Sequence, residues 1–176
     1  MKQISLFLLL LASSFSLFGQ GNPIDELFDK YSGKEGITTV FISSKMFQMI
    51  AGADLDDDEL NDLVSRLKSI RILTVDDSLM NNKLNFYKEL EPKLDFSKYE
   101  ELMVIKEGGK DIKFLVRGKG NRVDELLMIG GGAGSNILIS IKGDLDMDNI
   151  SEISRTIGIS ELENIDKNQS KKKNDE

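Results

Sequence analysis

The chain of 176 residues contains no cysteine, no histidine and no tryptophan, and only two prolines. Without cysteine there are no disulfides, thiolate nucleophiles or zinc-thiolate sites. An oxidising compartment is then tolerated without being exploited. Without histidine the usual general base, the Ser-His-Asp arrangement and the commonest transition-metal ligand are missing. Carboxylate, Lys, Tyr and Ser chemistry remains. Absence of tryptophan, with aromatics at 7%, weakens any reading as a sugar-stacking platform. Positive charge is also in short supply: 23 Lys and Arg face 30 Asp and Glu, a net charge of -7. Such a balance disfavours nucleic acid and anionic membranes as partners.

What is present begins with residues 1–19. Lys2 precedes an uncharged run from Ile4 to Phe18 rich in Leu and Phe, the layout of a cleavable secretory signal peptide. Cleavage after Gly19 or after Ser14 fits the small residues there. The competing reading is a retained anchor, for which the run is marginal in length and only one positive side chain precedes it. Lipid attachment needs a cysteine just after such a run, and there is none. The expectation is a periplasmic or secreted protein with no stable membrane anchor after cleavage. About 157 residues follow Gly19, the size of one domain with a real core.

Asn22 as cap, Pro23 at the first helical position and Ile24, Leu27, Phe28 and Tyr31 at helical spacing predict a helix. Residues 37–43 read as a strand whose nearly continuous apolar character suggests a central, covered position. A short helix with Met46, Phe47, Met49 and Ile50 follows Ser44. A second, with Leu60, Leu63, Val64 and Leu67, follows the acidic residues 54–59. Residues 69–75 form another strand, and a helix over 78–91 is expected to bury Leu79, Met80, Leu84, Tyr87 and Leu90 before Pro92. From Glu100 the period becomes two. Strands over 101–107, 111–118, 123–129 and 136–142, separated by glycine-rich turns, predict a meander. A helix near 148–157 closes the domain over 22–162, and 163–176 reads as a disordered polar tail. The expected class is α+β: a mostly antiparallel sheet with a C-terminal four-strand meander and helices packed mainly on one face, the other being wetter.

Each candidate motif has a plainer structural explanation. Asp54, Asp56, Asp57, Asp58 and Glu59 suggest calcium, but Glu59 stands where a calcium loop needs Gly and Ser65 where it needs Glu, so a helix cap fits better. Asp144, Asp146 and Asp148 start the same pattern, with Asn149 and Arg155 at those two positions; a turn followed by a cap at Asp148 is preferred. Gly130, Gly131, Gly132 and Gly134 lead into a period-two run, Ile137 to Ile141, which makes them a hairpin loop instead of a phosphate cradle. No catalytic, cofactor-binding or metal residues are assigned. Met46, Phe47, Met49 and Ile50 exceed what one helix face comfortably buries and form the candidate partner surface.

Three segments carry a family resemblance: ITTVFISSKMFQMI from Ile37, SIRILTVDD from Ser69 and ILISIKGDLDMDNISEI from Ile137. Over residues 22–162 the chain resembles DUF4252, a family of uncharacterised exported Bacteroidetes proteins. The resemblance implies export and the domain's extent, and it brings no catalytic residues. Members often look like lipoproteins, which the missing cysteine rules out transferring. The functional expectation is a non-enzymatic envelope module without cofactor that binds an envelope protein or small ligand. The alternatives are a carboxylate-based envelope hydrolase or small-ligand binder, and, more weakly, a calcium-stabilised module.

Overall fold

The computed structural model describes residues 21–52, 58–76, 78–132 and 134–146, except the side chain of Glu59. In chain order the elements are α1 (Pro23–Tyr31), β1 (Ile37–Ser43), α2 (Ser44–Ala51), α3 (Asp58–Arg66), β2 (Leu67–Val75), α4 (Ser78–Asn81), α5 (Phe86–Leu90), a 3-10 turn (Phe96–Lys98), β3 (Glu100–Glu107), β4 (Lys110–Lys119), β5 (Arg122–Gly131) and β6 (Ile137–Asp146). The six strands form one sheet in the order β1-β2-β6-β5-β4-β3. Every neighbouring pair is antiparallel. The α+β class and the C-terminal meander β3 to β6 are therefore as the sequence pattern implies. Among the described residues no helix is long and apolar enough to cross a membrane.

Strand alternation divides the core in two. One cluster takes Ile70, Phe114, Leu126, Met128, Ile139 and Ile141 from the sheet, with Phe47 of α2 and Leu63 and Val64 of α3 packed on it. The other takes Leu73, Leu115, Leu127, Ile129 and Leu138, covered by Ile24, Leu27, Phe28 and Tyr31 of α1 and by Phe86 and Leu90 of α5. Helices thus extend to both faces instead of gathering mainly on one, and neither face is the wet one. The cause is legible in β5. Leu126 to Ile129 is an unbroken apolar run, and consecutive strand residues point to opposite faces, so both must be covered.

Sequence patterning places α1 accurately. The Asn22 side chain accepts a hydrogen bond from the Ile24 N–H, Pro23 stands in the first turn, and all four spaced apolar residues are buried. Three other expectations need correction. β1 lies at the sheet edge, not its centre: four of its residues alternate between half-buried and exposed, and Val40 and Phe41 are exposed. At this edge only Ile42 and Ile37 pack against the two core clusters, and both are half-buried. The helix expected over 78–91 is two short helices, because the Asn85 side chain caps the Lys88 N–H and restarts the chain at Phe86; Leu79 is left exposed. Finally, β6 runs on to Asp146, so Asp144 and Asp146 are strand residues and not a turn. Arg122 pairs with Asp144, and Asn121 donates to Asp146. Residues 1–19, Asp54, Asp56, Asp57, Asp148, the helix near 148–157 and the tail lie outside the described residues.

Candidate functional site

The most concentrated polar chemistry lies on the face that α1 covers. Register places Lys142 of β6 opposite Glu125 of β5, and Glu125 opposite Arg117 of β4. Three adjacent strands thereby present a row of alternating charge. The Glu125 side chain is fully buried. It accepts hydrogen bonds from the Tyr99 hydroxyl at 2.9 Å and the Ser140 hydroxyl at 2.7 Å. Arg117 Nη2 lies 3.0 Å and Lys142 Nζ 3.9 Å from it. A carboxylate so enclosed is tolerable only because its oxygens are occupied from several sides. The same surroundings raise the Tyr99 hydroxyl well above its usual range, first through burial and then through the negative charge of Glu125.

Asp25 of α1 closes the row from above. It pairs with Arg71 of β2 and lies 3.3 Å from Lys142. The Arg71 guanidinium also lies near the rings of Phe28 and Phe41, 5.6 and 5.2 Å from their centroids. Across the sheet Lys113 repeats the arrangement over Tyr87 and Phe96, at 5.6 and 5.4 Å, while pairing with Glu101. These contacts anchor long cations along apolar surfaces and lock α1, α5 and the 3-10 turn to the sheet.

Beside this network opens a groove of about 660 Å³. The start of α1 (Asn22, Pro23, Glu26) forms one wall and Lys93 to Asp95 with Lys98 the other; Tyr99 and Arg117 join them. Lys93 lies 3.7 Å from Glu26 and Lys98 3.4 Å from Asp95. Three cations, Lys93, Lys98 and Arg117, and two carboxylates, Glu26 and Asp95, line the groove, and four of these five are joined in pairs. Such a lining suits a small polar ligand more than a strongly charged one. Among the described residues no group of three or more carboxylates is placed to hold a metal ion.

The candidate partner residues on α2 divide. Phe47 is buried and Ile50 packs partly against the same core cluster, whereas Met46 and Met49 are 50% and 63% exposed. Two anchors and two exposed thioether side chains share one eight-residue helix. Asp58 begins α3 and is exposed. Of the glycine run, Gly130 and Gly131 belong to β5, and the turn proper begins at Gly132, whose φ of +84° favours glycine. At Gly131 a β-carbon would stand 2.1 Å from Asn85 Oδ1. The glycines thus let the cap of α5 sit against the strand.

Sequence reasoning passed over Glu125, although it stands two residues before Leu127 and hence on the inward face of a strand. It also passed over Asn136. This buried residue accepts from the Phe86 N–H at 3.0 Å and donates to both oxygens of Asn81 at 2.7 Å. No local pattern announces such a clasp, because its partners are some fifty residues apart in the chain.

Residues 31–153 match the sequence profile of the domain of unknown function DUF4252. The chain belongs to the DUF4252 family. The matched span runs from the last residue of α1 through all six strands, so the sheet, α2, α3, α4 and α5 lie within it. Only most of α1, and with it Asp25 and the α1 wall of the groove, precedes the matched residues. No curated protein and no solved structure matches the chain.

Proposed function

We propose that this DUF4252 chain is an exported, non-enzymatic binding module that contacts an envelope protein through α2. One observation carries the reading: Met46 and Met49 stand exposed on a helix that Phe47 and Ile50 hold to the core. Flexible, polarisable Met side chains on a rigid support adapt to a partner's apolar surface. Export rests on the layout of residues 1–19. The buried carboxylate weighs against hydrolysis, since Tyr99, Ser140 and Arg117 already occupy Glu125.

A photo-crosslinker at position 49 is expected to give one discrete adduct in envelope extracts, lost when Met46→Ser is added. Retained folding of both variants, seen by circular dichroism, makes the comparison valid. Absence of any adduct counts against the reading. For export, mass spectrometry of the cell-derived protein is expected to find an N-terminus at Gln20 or Phe15; intact Met1 in the cytoplasmic fraction overturns it.

The groove favours a second reading, a small-ligand binder. Amide shifts confined to Lys93, Lys98 and Tyr99 on titration with short peptides support it, and unchanged spectra remove it.

A further inference from the structure

Sulfur in this chain is confined to seven methionines, since there is no cysteine to take up an oxidant first. The fold separates the described ones into two kinds. Met128 lies in the core at 4% exposure, and Met80 and Met103 are half-buried against the two core clusters. Met46 and Met49, by contrast, are both well exposed. Their spacing puts them on one side of α2. Phe47 and Ile50, one position on from each, carry the side that packs on the core.

We propose that Met46 and Met49 form a reversible oxidation site that switches the α2 contact surface. A two-electron oxidant of the hydroperoxide class, hydrogen peroxide being the simplest, transfers one oxygen to each thioether sulfur. The S–O bond forms as the peroxide O–O bond breaks. Sulfur is oxidised from thioether to sulfoxide, and the peroxide is reduced, its second oxygen leaving with both hydrogens as water. Two polar sulfoxides then replace two flexible apolar side chains on the same side of the helix. Neither residue is among those that pack on the core clusters. The helix therefore stays docked through Phe47 and Ile50 while its outer surface loses the apolar character a partner meets. The consequence for binding rests on the α2 contact proposed above; the selective chemistry at the two sulfurs does not.

The test uses protein expressed from the full sequence, titrated with hydrogen peroxide and followed by peptide mapping. Mass gains of about 16 Da are expected at Met46 and Met49 about ten-fold sooner than at Met128, with the melting temperature unchanged. A photo-crosslinker in place of the exposed Lys45 keeps both methionines. Its adduct in envelope extracts is expected to fall about ten-fold after oxidation and to return after treatment with methionine sulfoxide reductases A and B, one for each epimer. Met46→Leu combined with Met49→Leu keeps the apolar surface without the chemistry, and its adduct is expected to survive peroxide.

Equal rates at all the described methionines, or a melting temperature that falls with oxidation at these two, overturn the proposal. Loss of the adduct to peroxide in the double Leu variant does the same. An adduct that forms but is indifferent to oxidation overturns the switch and leaves the α2 contact standing. If unoxidised protein gives no adduct, the α2 contact and the switch fall together, and the peptide map alone decides whether the two sulfurs are the oxidation site.

Discussion

Glu125 shows how one buried charge shapes its neighbours. Its oxygens take hydrogen bonds from Tyr99 and Ser140 and pair with Arg117, while Lys142 is shared with Asp25. Truncation to Ala leaves those donors facing a void, and Glu125→Ala is expected to lower stability by roughly 2–3 kcal/mol in urea unfolding. Tyr99→Phe removes a single hydrogen bond to the carboxylate and is expected to cost about 1–2 kcal/mol. A fully neutral Tyr99→Phe would show that the hydroxyl bond contributes nothing. Gly131 is a different case, where the limit is steric. Gly131→Ala pushes against Asn85 Oδ1 and the Tyr87 N–H, so a loss of about 1–3 kcal/mol is expected from overpacking.

Among the elements, α1 and α5 depend on one clamp. Glu89 accepts from Lys30 and Tyr31. Burial opposes ionisation of Glu89, but the hydrogen bonds from Lys30 and Tyr31 outweigh it and hold the carboxyl below its usual range. A carboxyl lowered by folding stabilises the fold above its unfolded value, near 4.3, and that contribution disappears as pH falls through the lowered value. The melting temperature of Glu89→Gln is therefore expected to lie below that of the parent at pH 7 and to converge with it below about pH 4. A constant gap across that range would mean that the clamp is not ionic. The division of the expected single helix into α4 and α5 also belongs to this scale. Asn81 uses its side chain to bond the Val75 and Gly134 carbonyls, and Asn85 begins a new helix, so local hydrogen bonding outcompetes the helical period.

For the whole molecule, all three tyrosines are perturbed in one direction. Tyr31, Tyr87 and Tyr99 are each raised, with burial the largest cause. A group raised by folding contributes stability that is complete below its unfolded value, near 10, and is lost as pH climbs through the folded one. Alkaline unfolding is accordingly expected above about pH 10, with the tyrosinate absorbance of Tyr99 appearing only together with loss of the fold. Early ionisation of all three in folded protein would contradict this. With no tryptophan in the chain, the tyrosine signal is read without interference.

Periodicity alone determined α1, the strand positions and the antiparallel meander, because burial of alternate residues and helix capping are local demands written within a few positions. The α2 residues Met46 and Met49 were likewise legible, as an apolar surplus one helix face could not bury. Strand order was not. ITTVFIS reads as a covered strand, and only the sheet topology makes it an edge. The split of helices between two faces, the Lys142-Glu125-Arg117 row, the Asn81-Asn136 clasp and the groove beside Tyr99 also required the tertiary structure. Each depends on residues far apart in sequence being brought to one place, and hydrophobic pattern specifies that a residue is buried without specifying beside what.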